Sequence, residues 1–289
     1  MTYPKFTVVT PTYNQGLFIE KTIDSVLSQG FQNLEFIIID GGSKDNTVEI
    51  IKKYKRHLSY WVSEPDRGQS HAINKGMARA TGEILTWLNS DDWHLPGTLT
   101  RFAEVFESHP ETDVIVGAGR IVDEIGREIY YCKPSTAIDL ETMFGWMEGG
   151  NFMQPSAAFR RKAWEKVGGL DESIHIALDV DLWLRMASAG LVFEPITDLL
   201  SEALSHPQAK TTAYRELMRM DCSIVIIRHG GIERVRPLLE KTARQYAWLK
   251  TNYEAIIGHP VMRLLRPVIK RITRDGEYWS AVVPPWVKD

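Results

Sequence analysis

Acidic residues follow three apolar runs in the first hundred residues of this 289-residue chain. Asp40 ends one run, Glu64 and Asp66 follow the next, and the pair Asp91-Asp92 follows a third. A single Asp after a strand commonly caps a turn or a helix, but the same placement recurs here at three run ends. Carboxylate oxygens are hard ligands that suit Mg²⁺ or Mn²⁺. We therefore predict a binding site built from these side chains, with Asp91 and Asp92 as its metal-binding pair.

The apolar runs alternate with segments of helical periodicity, which predicts βαβ units and a parallel sheet. Ligands of such sheets bind beyond the carboxyl ends of the strands, where these acidic residues would gather. Further strands are predicted in the second hundred residues, followed by a Gly-rich loop and two helices. The predicted strands are Phe6–Thr10, Phe36–Ile39, Ser59–Val62, Ile84–Leu88, Asp113–Gly117 and Ile121–Tyr131, the loop is Trp146–Asn151, and the later helices are Lys162–Val167 and 179–189.

Composition and charge limit the classes of protein. With 44% hydrophobic and 25% charged residues, the chain is neither collagen-like nor disordered. Residues 1–206 hold 19 Lys and Arg against 29 Asp and Glu, whereas residues 207–289 hold 15 against 8. An acidic body argues against nucleic-acid binding. Two distant cysteines exclude a disulfide framework. With no signal peptide or spanning run visible, we expect a cytoplasmic protein.

Several motifs resemble the family 2 inverting glycosyltransferases, which have the GT-A fold. The resemblance covers about residues 5–212, and it rests on the order and spacing of the motifs together. The chain has no Gln-x-x-Arg-Trp run, and in this it resembles the bacterial non-processive members, which add one sugar at a time. The matching segments are Thr10–Asn14, Asp40–Thr47, Asn89–Asp92, Gln154–Ser156, Val167–Asp171 and Leu178–Trp183.

This resemblance implies an α/β protein with a GT-A (Rossmann-like), mostly parallel sheet flanked by helices. It implies a catalytic domain over 1–212, followed by a helical C-terminal region over 213–289. The implied activity transfers one sugar from a nucleotide-diphosphate sugar to a saccharide or lipid-linked saccharide acceptor, in cell-surface polysaccharide or glycolipid assembly. The alternative is a nucleotide-sugar-binding protein without turnover. Leu178 and Asn89 support that alternative, because each departs from an acidic residue of the family pattern.

Donor binding is implied for the acidic edge. A carboxylate site repels a diphosphate unless a divalent cation lies between them, and Mg²⁺ commonly takes one or two carboxylates together with phosphate and water. The resemblance makes Asp92 the direct metal ligand, Asp91 a ribose or metal-water contact, and His206 a further metal or diphosphate contact. The remaining implied donor-binding residues are Thr10, Pro11, Tyr13, Asp40, Asp66 and Lys75.

The catalytic base is implied at the start of the helix near residue 179. The resemblance favours Asp179, and Asp181 remains the alternative, while either could simply complement the helix dipole. Trp146, Gln154 and Asp181 are candidates for the acceptor or sugar pocket, although Trp146 could equally be a core residue.

A basic segment lies near the C-terminus. Residues 261–274 contain five Lys and Arg and no acid, with apolar residues at helical spacing. Such a segment is typical of a helix at an anionic membrane, which would place the protein at the inner face of the membrane. The alternative is a helix packed on the core with a solvated basic face.

Overall fold

The computed structural model describes residues 3–148, 152–210 and 214–258, and its first four strands are parallel. The sheet begins with the order β3-β2-β1-β4. Residues 36–39 of the second strand are almost completely buried, because helices cover both faces of the sheet. These strands are β1 (Phe6–Thr12), β2 (Leu34–Asp40), β3 (Tyr60–Ser63) and β4 (Ile84–Trp87).

Helices connect these strands, and further helices and strands follow in the described part of the chain. Short one-turn helices occur at Trp146–Glu148 and Gln154–Ser156. The remaining elements are α1 (Ile19–Leu27), α2 (Thr47–Tyr54), α3 (Gln69–Met77), β5 (Asp92–His94), α4 (Thr98–Ser108), β6 (Val114–Val122), β7 (Glu128–Cys132), α5 (Leu140–Phe144), β8 (Ala157–Arg160), α6 (Arg161–Val167), α7 (Leu178–Ser188), β9 (Phe193–Leu204), α8 (Arg215–Arg228) and α9 (Ile232–Gly258).

The second half of the sheet is mixed. Strand β8 runs antiparallel between β4 and β6, β9 runs parallel to β6, β5 runs antiparallel to β9, and β7 pairs with β6. The α/β prediction, a sheet flanked by helices, is confirmed. Among the described strands, however, parallel and antiparallel pairings are equal in number, because β8 pairs antiparallel with both β4 and β6, and β5 and β7 each pair antiparallel with one neighbour.

The predicted strand over Ile121–Tyr131 is wrong in its extent. Strand β6 ends at Val122, a turn follows, and β7 begins at Glu128. The Oδ1 atom of Asp123 accepts hydrogen bonds from the backbone nitrogens of Ile125 and Arg127 at 3.1 and 2.8 Å. A side chain that bonds its own backbone in this way forms a turn, and apolar alternation does not reveal it.

Two hydrophobic cores lie on the two faces of the sheet. Helices α1, α2 and α4 cover one face, and α3, α6, α7 and α8 cover the other. Trp87 at the end of β4 stacks on Trp183 of α7, with ring centroids 5.7 Å apart.

Helix α8 belongs to the predicted C-terminal region, and it packs against the same core as α7. Cys222, Val225 and Ile226 are buried in that cluster. The boundary at 212/213 stays a prediction, and the basic segment 261–274 lies outside the described residues. No helix in the described part of the chain is long and apolar enough to span a membrane.

Candidate active site

The carboxyl ends of the four parallel strands meet at one edge of the sheet. In the strand register, Asp40 lies beside Thr12 on one side and Ser63 on the other. Asp66 follows the end of β3, and Asp91 follows the end of β4. The structure therefore brings the predicted acidic residues to the edge where ligands of such sheets bind. We call this edge the donor edge.

Asp40 is fully buried and organises its own loop. Its Oδ2 atom accepts hydrogen bonds from the backbone nitrogens of Gly42 and Ser43 at 3.1 and 3.0 Å and from the Ser63 hydroxyl at 2.5 Å. Its Oδ1 atom accepts from the Ser43 hydroxyl. Gly42 has a φ of +85°, a left-handed conformation that favours glycine. The carboxylate thus shapes the loop, and its contact with a nucleotide base stays a prediction.

Asp66 faces the same loop. Its Oδ1 atom accepts a hydrogen bond from the backbone nitrogen of Gly68 at 2.8 Å. A Cβ atom on Gly41 would lie 2.7 Å from the Asp66 Oδ2 atom, so a larger residue at position 41 would displace the Asp66 carboxylate from its present position. Asp40 and Asp66 therefore share one corner of the donor edge.

The first predicted donor residues lie at different depths. Thr10 and Pro11 are buried within β1, and the Thr10 hydroxyl has no hydrogen-bond partner among the described residues. Tyr13 lies in the loop after β1 and is 58% exposed. Of the three, Tyr13 has the ring that a ligand could reach from solvent.

Asp91 and Asp92 occupy the end of the loop after β4. Asp92 is buried, and its Oδ2 atom accepts a hydrogen bond from the Asn89 side-chain nitrogen at 3.1 Å. Burial, together with the neighbouring charge of Asp91, raises the pKa of Asp92 well above its ordinary value. The Asp91 Oδ2 atom lies 3.1 Å from His206 Nε2, and the buried His206 ring contacts Phe18 with centroids 4.4 Å apart.

This pair of carboxylates fits a divalent cation. Desolvation and the neighbouring charge of Asp91 destabilise the negative charge of Asp92, and a bound cation would relieve both effects. In the described part of the chain, no three His, Cys, Asp or Glu side chains converge as a metal cage. The predicted trio of Asp91, Asp92 and His206 is therefore not assembled as three ligands, because His206 is hydrogen-bonded to Asp91. Two carboxylates remain, a number that Mg²⁺ accepts when phosphate and water complete its shell.

Asp179 lies in the first turn of α7 and is half-buried. Its Oδ1 atom accepts a hydrogen bond from the Val180 backbone nitrogen at 2.9 Å, and no ion pair with it is formed within the described residues. Burial raises the pKa of Asp179 to about 6. Burial, with a contribution from the charges of Asp179 and Asp221, raises the pKa of Cys222 to about 12. Helix α8, which carries Cys222, packs in the same core as α7.

Asp181 is engaged in ion pairs. Its Oδ2 atom lies 2.7 Å from Arg185 Nε, and its Oδ1 atom lies 3.3 Å from His229 Nε2 at the end of α8. Although burial opposes it, hydrogen bonding to His229 and Arg185 lowers the pKa of Asp181. A carboxylate held in this way is a weak proton acceptor. The geometry gives Asp181 a part in joining α7 to α8.

Removal of the arginine from this ion pair should destabilise the fold. Arg185→Met is expected to lower the free energy of unfolding by about 3 kcal/mol, because the buried Asp181 charge loses its closest cation. Urea unfolding followed by circular dichroism measures this change. Arg236→Met is the matched control, since Arg236 pairs with Glu233 on an exposed helix face and should leave the unfolding midpoint nearly unchanged. Equal midpoint shifts for the two variants would contradict the assignment.

Three other predicted site residues have structural contacts. Lys75 is ion-paired with Glu64. Trp146 packs edge-on against Phe152, with centroids 5.1 Å apart, next to the core. Gln154 is buried at the donor edge and donates a hydrogen bond to the Trp87 carbonyl oxygen at 2.8 Å. Contacts within the protein therefore fix the side chains of Lys75 and Trp146. Gln154 lies beneath the loop that carries Asp92.

Lys210 is a site residue that the sequence interpretation did not select. Its ammonium donates hydrogen bonds to Gln69 Oε1 at 2.7 Å and to the His175 carbonyl oxygen at 3.2 Å. Burial lowers the pKa of Lys210 to about 8, while the charges of Asp91 and Asp66 act in the opposite direction. The lysine thus places a positive charge within the acidic edge. Its position four residues after His206 was the available signal in the sequence.

Comparison with known protein families identifies the class of enzyme. The sequence model described as Glycosyl transferase family 2 matches residues 7–168, more than half of the chain, and this chain belongs to that family. An uncharacterized glycosyltransferase of Rickettsia typhi is 27% identical over 223 residues, which are 74% of this chain and 68% of that protein. Another, from Mycobacterium tuberculosis, is 30% identical over 201 residues, covering 67% of this chain and 72% of that protein. The chain is therefore a glycosyltransferase.

Solved structures confirm the GT-A fold. The crystal structure of S. aureus TarS 1-349 has a TM-score of 0.58 and 21% identity, covering 96% of this chain and 81% of that chain. The mannosyltransferase PcManGT from Pyrobaculum calidifontis, in complex with GDP-Man and Mn²⁺, has a TM-score of 0.59 and 19% identity, covering 99% and 83%. Likeness at this identity establishes the shared fold.

Proposed function

We propose that this chain is an inverting glycosyltransferase that transfers one sugar from a nucleotide-diphosphate sugar to an acceptor hydroxyl, in the assembly of a cell-surface polysaccharide or glycolipid. The observation that carries this proposal is the half-buried Asp179 carboxylate in the first turn of α7, with its pKa of about 6. Such a group is ionised at neutral pH and basic enough to accept a proton during reaction. The loop before it reaches the donor edge, because Lys210 bonds both His175 and Gln69.

The donor class is supported by the structural neighbours. TarS has been crystallised with UDP and with UDP-GlcNAc, and PcManGT with GDP-Man and Mn²⁺. The donor edge described above has the chemical groups that a nucleotide-diphosphate sugar requires: an exposed Tyr13 ring, two corner carboxylates, a carboxylate pair and the Lys210 ammonium. We propose that Lys210 contacts the diphosphate. The negative charge of the diphosphate would then balance the Lys210 ammonium in place of the charges of Asp91 and Asp66.

The proposed reaction is a single displacement at the anomeric carbon. The acceptor oxygen forms a bond to that carbon from the face opposite the diphosphate, while the bond from the carbon to the diphosphate oxygen breaks. Asp179 takes the proton of the acceptor hydroxyl, and the nucleoside diphosphate leaves with the electron pair of the broken bond. The configuration of the sugar is inverted because the two bonds lie on opposite faces.

Asp92 and Asp91 are the residues that would hold the metal. A bound Mg²⁺ or Mn²⁺ supplies Lewis-acid stabilisation of the departing diphosphate. His206 orients Asp91 through its hydrogen bond, and Lys210 adds positive charge on the same edge.

A thermal-shift screen tests donor binding first. Nucleoside diphosphates and sugar nucleotides are each added with and without Mn²⁺. The ligands that carry one particular base should raise the midpoint of thermal unfolding, and the rise should be larger with Mn²⁺. The selected sugar nucleotide is then incubated with the enzyme and Mn²⁺, and slow donor hydrolysis is followed. Binding with no hydrolysis or transfer would favour the binding protein without turnover. No shift with any nucleotide would contradict the proposed function.

The pH dependence of transfer should follow the ionisation of Asp179. The value of kcat/KM is expected to be constant above about pH 7 and to fall about tenfold per unit below about pH 6, because the protonated base cannot accept a proton. The measurement requires saturating Mn²⁺ at each pH, so that protonation of Asp92 does not contribute. A profile that stays flat to about pH 4.5 would contradict a base with a raised pKa at Asp179.

We also propose that the enzyme acts at the inner face of a membrane, through the basic segment 261–274. The support is its sequence of five Lys and Arg with interspersed apolar residues, since such segments bind anionic lipid surfaces. Flotation of the full chain with vesicles containing phosphatidylserine should recover the protein in the lipid fraction, and vesicles of phosphatidylcholine alone should recover much less. No flotation with either vesicle would exclude this location.

A further inference from the structure

A row of four polar side chains crosses the donor edge from Lys210 to Asp92. Lys210 Nζ donates to Gln69 Oε1 at 2.7 Å, Gln69 Nε2 donates to Asn89 Oδ1 at 2.7 Å, and Asn89 Nδ2 donates to Asp92 Oδ2 at 3.1 Å. The lysine follows β9, the glutamine begins α3, and the other two residues follow β4. Three separate parts of the chain therefore build one continuous hydrogen-bond relay.

The lysine fixes the direction of the relay. An ammonium can only donate, so Gln69 turns its oxygen toward Lys210 and its nitrogen toward Asn89, and Asn89 turns its nitrogen toward Asp92. Gln154 supports this orientation: its Nε2 donates to the Trp87 carbonyl, and its Oε1 lies 3.5 Å from Asn89 Nδ2. The oxygen and the nitrogen of the Asn89 amide therefore both have partners.

An acid at position 89 would not make the same contacts in this chain. A carboxylate there could accept the hydrogen bond from Gln69, but its second oxygen would face the Oδ2 atom of Asp92, which is also an acceptor. It would also add a third negative charge beside Asp91 and Asp92, where like charges already repel. The asparagine at this position, a departure from the acidic pattern, thus has a physical reason.

We propose that Gln69 and Asn89 are positioning residues, which hold the Asp92 carboxylate in one orientation for a divalent cation and link it to the Lys210 ammonium. This inference rests on the proposed metal-binding role of Asp92. Hydrogen-bond partners behind a metal ligand orient it, and their loss typically lowers metal affinity about 10–100-fold.

A double-mutant cycle on Mn²⁺ affinity tests the relay. The variants Gln69→Met, Asn89→Leu and the double variant are titrated with Mn²⁺ alone, and free Mn²⁺ is measured by electron paramagnetic resonance. Neutral, similarly sized replacements add no charge at the site. Gln69→Met should raise the Kd about tenfold although Gln69 does not contact Asp92. The double variant should be no weaker than Asn89→Leu, because both changes interrupt the same relay.

A second measurement reads the relay in the metal-free protein. Side-chain amide hydrogen exchange of Asn89 is followed by NMR in the wild type and in Lys210→Met, where the lysine lies two hydrogen bonds away. Faster exchange in the variant is expected, because Gln69 loses the partner that fixes its orientation. Gln32→Met is the control. Because Gln32 is exposed and lies outside the site, its replacement should change neither the Kd for Mn²⁺ nor the Asn89 amide exchange.

The outcomes separate the relay from the function. If the wild type binds Mn²⁺ and Gln69→Met binds it with the same Kd, the relay is overturned and the metal site is left intact. The same conclusion follows if the fold-changes in Kd of the two single variants multiply in the double variant. No Mn²⁺ binding by the wild type would overturn the proposed metal role of Asp92, and amide exchange would then decide the relay alone. An unchanged rate of Asn89 side-chain amide exchange in Lys210→Met would overturn the relay. If Asn89→Leu does not fold, Asn89→Ser replaces it in the cycle.

Discussion

Replacement of Asp179 by asparagine is expected to lower kcat/KM for sugar transfer about 10²–10⁴-fold, the contribution that a positioned general base typically makes. Asparagine keeps the shape of the side chain and its hydrogen bond from Val180 but cannot accept the proton of the acceptor. Initial rates with the identified donor and acceptor, at pH 8 and saturating Mn²⁺, measure the loss. Donor binding, measured as a thermal shift, should change little.

The stability of Asp179→Asn makes the result interpretable. Burial raises the pKa of Asp179 from the ordinary value near 4 to about 6, so the folded protein binds this proton more tightly than the unfolded chain. The stabilising contribution is present below about pH 4 and is lost as the pH rises through 6. At pH 8 the ionised carboxylate weakens the fold, and asparagine should leave stability equal or higher. Loss of activity would then not reflect unfolding.

Asp181→Asn is the matched control, with the opposite pattern expected. It removes a charge that pairs with Arg185 and His229, so the free energy of unfolding should fall by about 1–3 kcal/mol. Transfer by the folded fraction should fall less than tenfold, since the base remains. Normal transfer by Asp179→Asn together with a large kinetic loss in Asp181→Asn would reverse the two assignments.

Asp92→Asn is expected to reduce metal-dependent transfer about 10³-fold, because stabilisation of the leaving diphosphate by a cation contributes several kcal/mol. Chelation of the metal with EDTA should reduce the wild type to a similar residual rate and should reduce the variant no further. Asp198→Asn is the control: Asp198 pairs with Arg101 and lies outside the donor edge. That variant should keep the full EDTA-sensitive rate.

The Asp92 prediction has a direct contrary result. An Asp92→Asn variant with full, EDTA-sensitive activity would remove this residue from the metal site. Since burial and Asp91 disfavour the negative charge of Asp92, the asparagine variant should also unfold at an equal or higher temperature without Mn²⁺. A lower midpoint would show that its ionised carboxylate stabilises the fold.

Much of the framework could be read from local patterns. Runs that are apolar on both faces, such as Phe36–Ile39, predicted buried parallel strands, and carboxylates that follow such runs must meet at one sheet edge. The turn after Val122 was missed because apolar residues flank it. The partner of Lys75 was not visible in the sequence, because the spacing of residues on α3 does not show that Glu64 of a neighbouring loop pairs with it, and its contact with the donor stays a prediction.

By itself, therefore, the sequence determined the α/β order and the acidic edge, because strand periodicity and chain order are local properties. Only the tertiary structure distinguished the surroundings of Asp179 and Asp181: burial raises the pKa of Asp179, whereas Asp181 contacts Arg185 and also His229, which lies 48 residues further along the chain. Only it brought Lys210 to Gln69, 141 residues apart in the chain. Desolvation and long-range charge pairing depend on neighbours that folding brings together, and spacing along the chain does not record them.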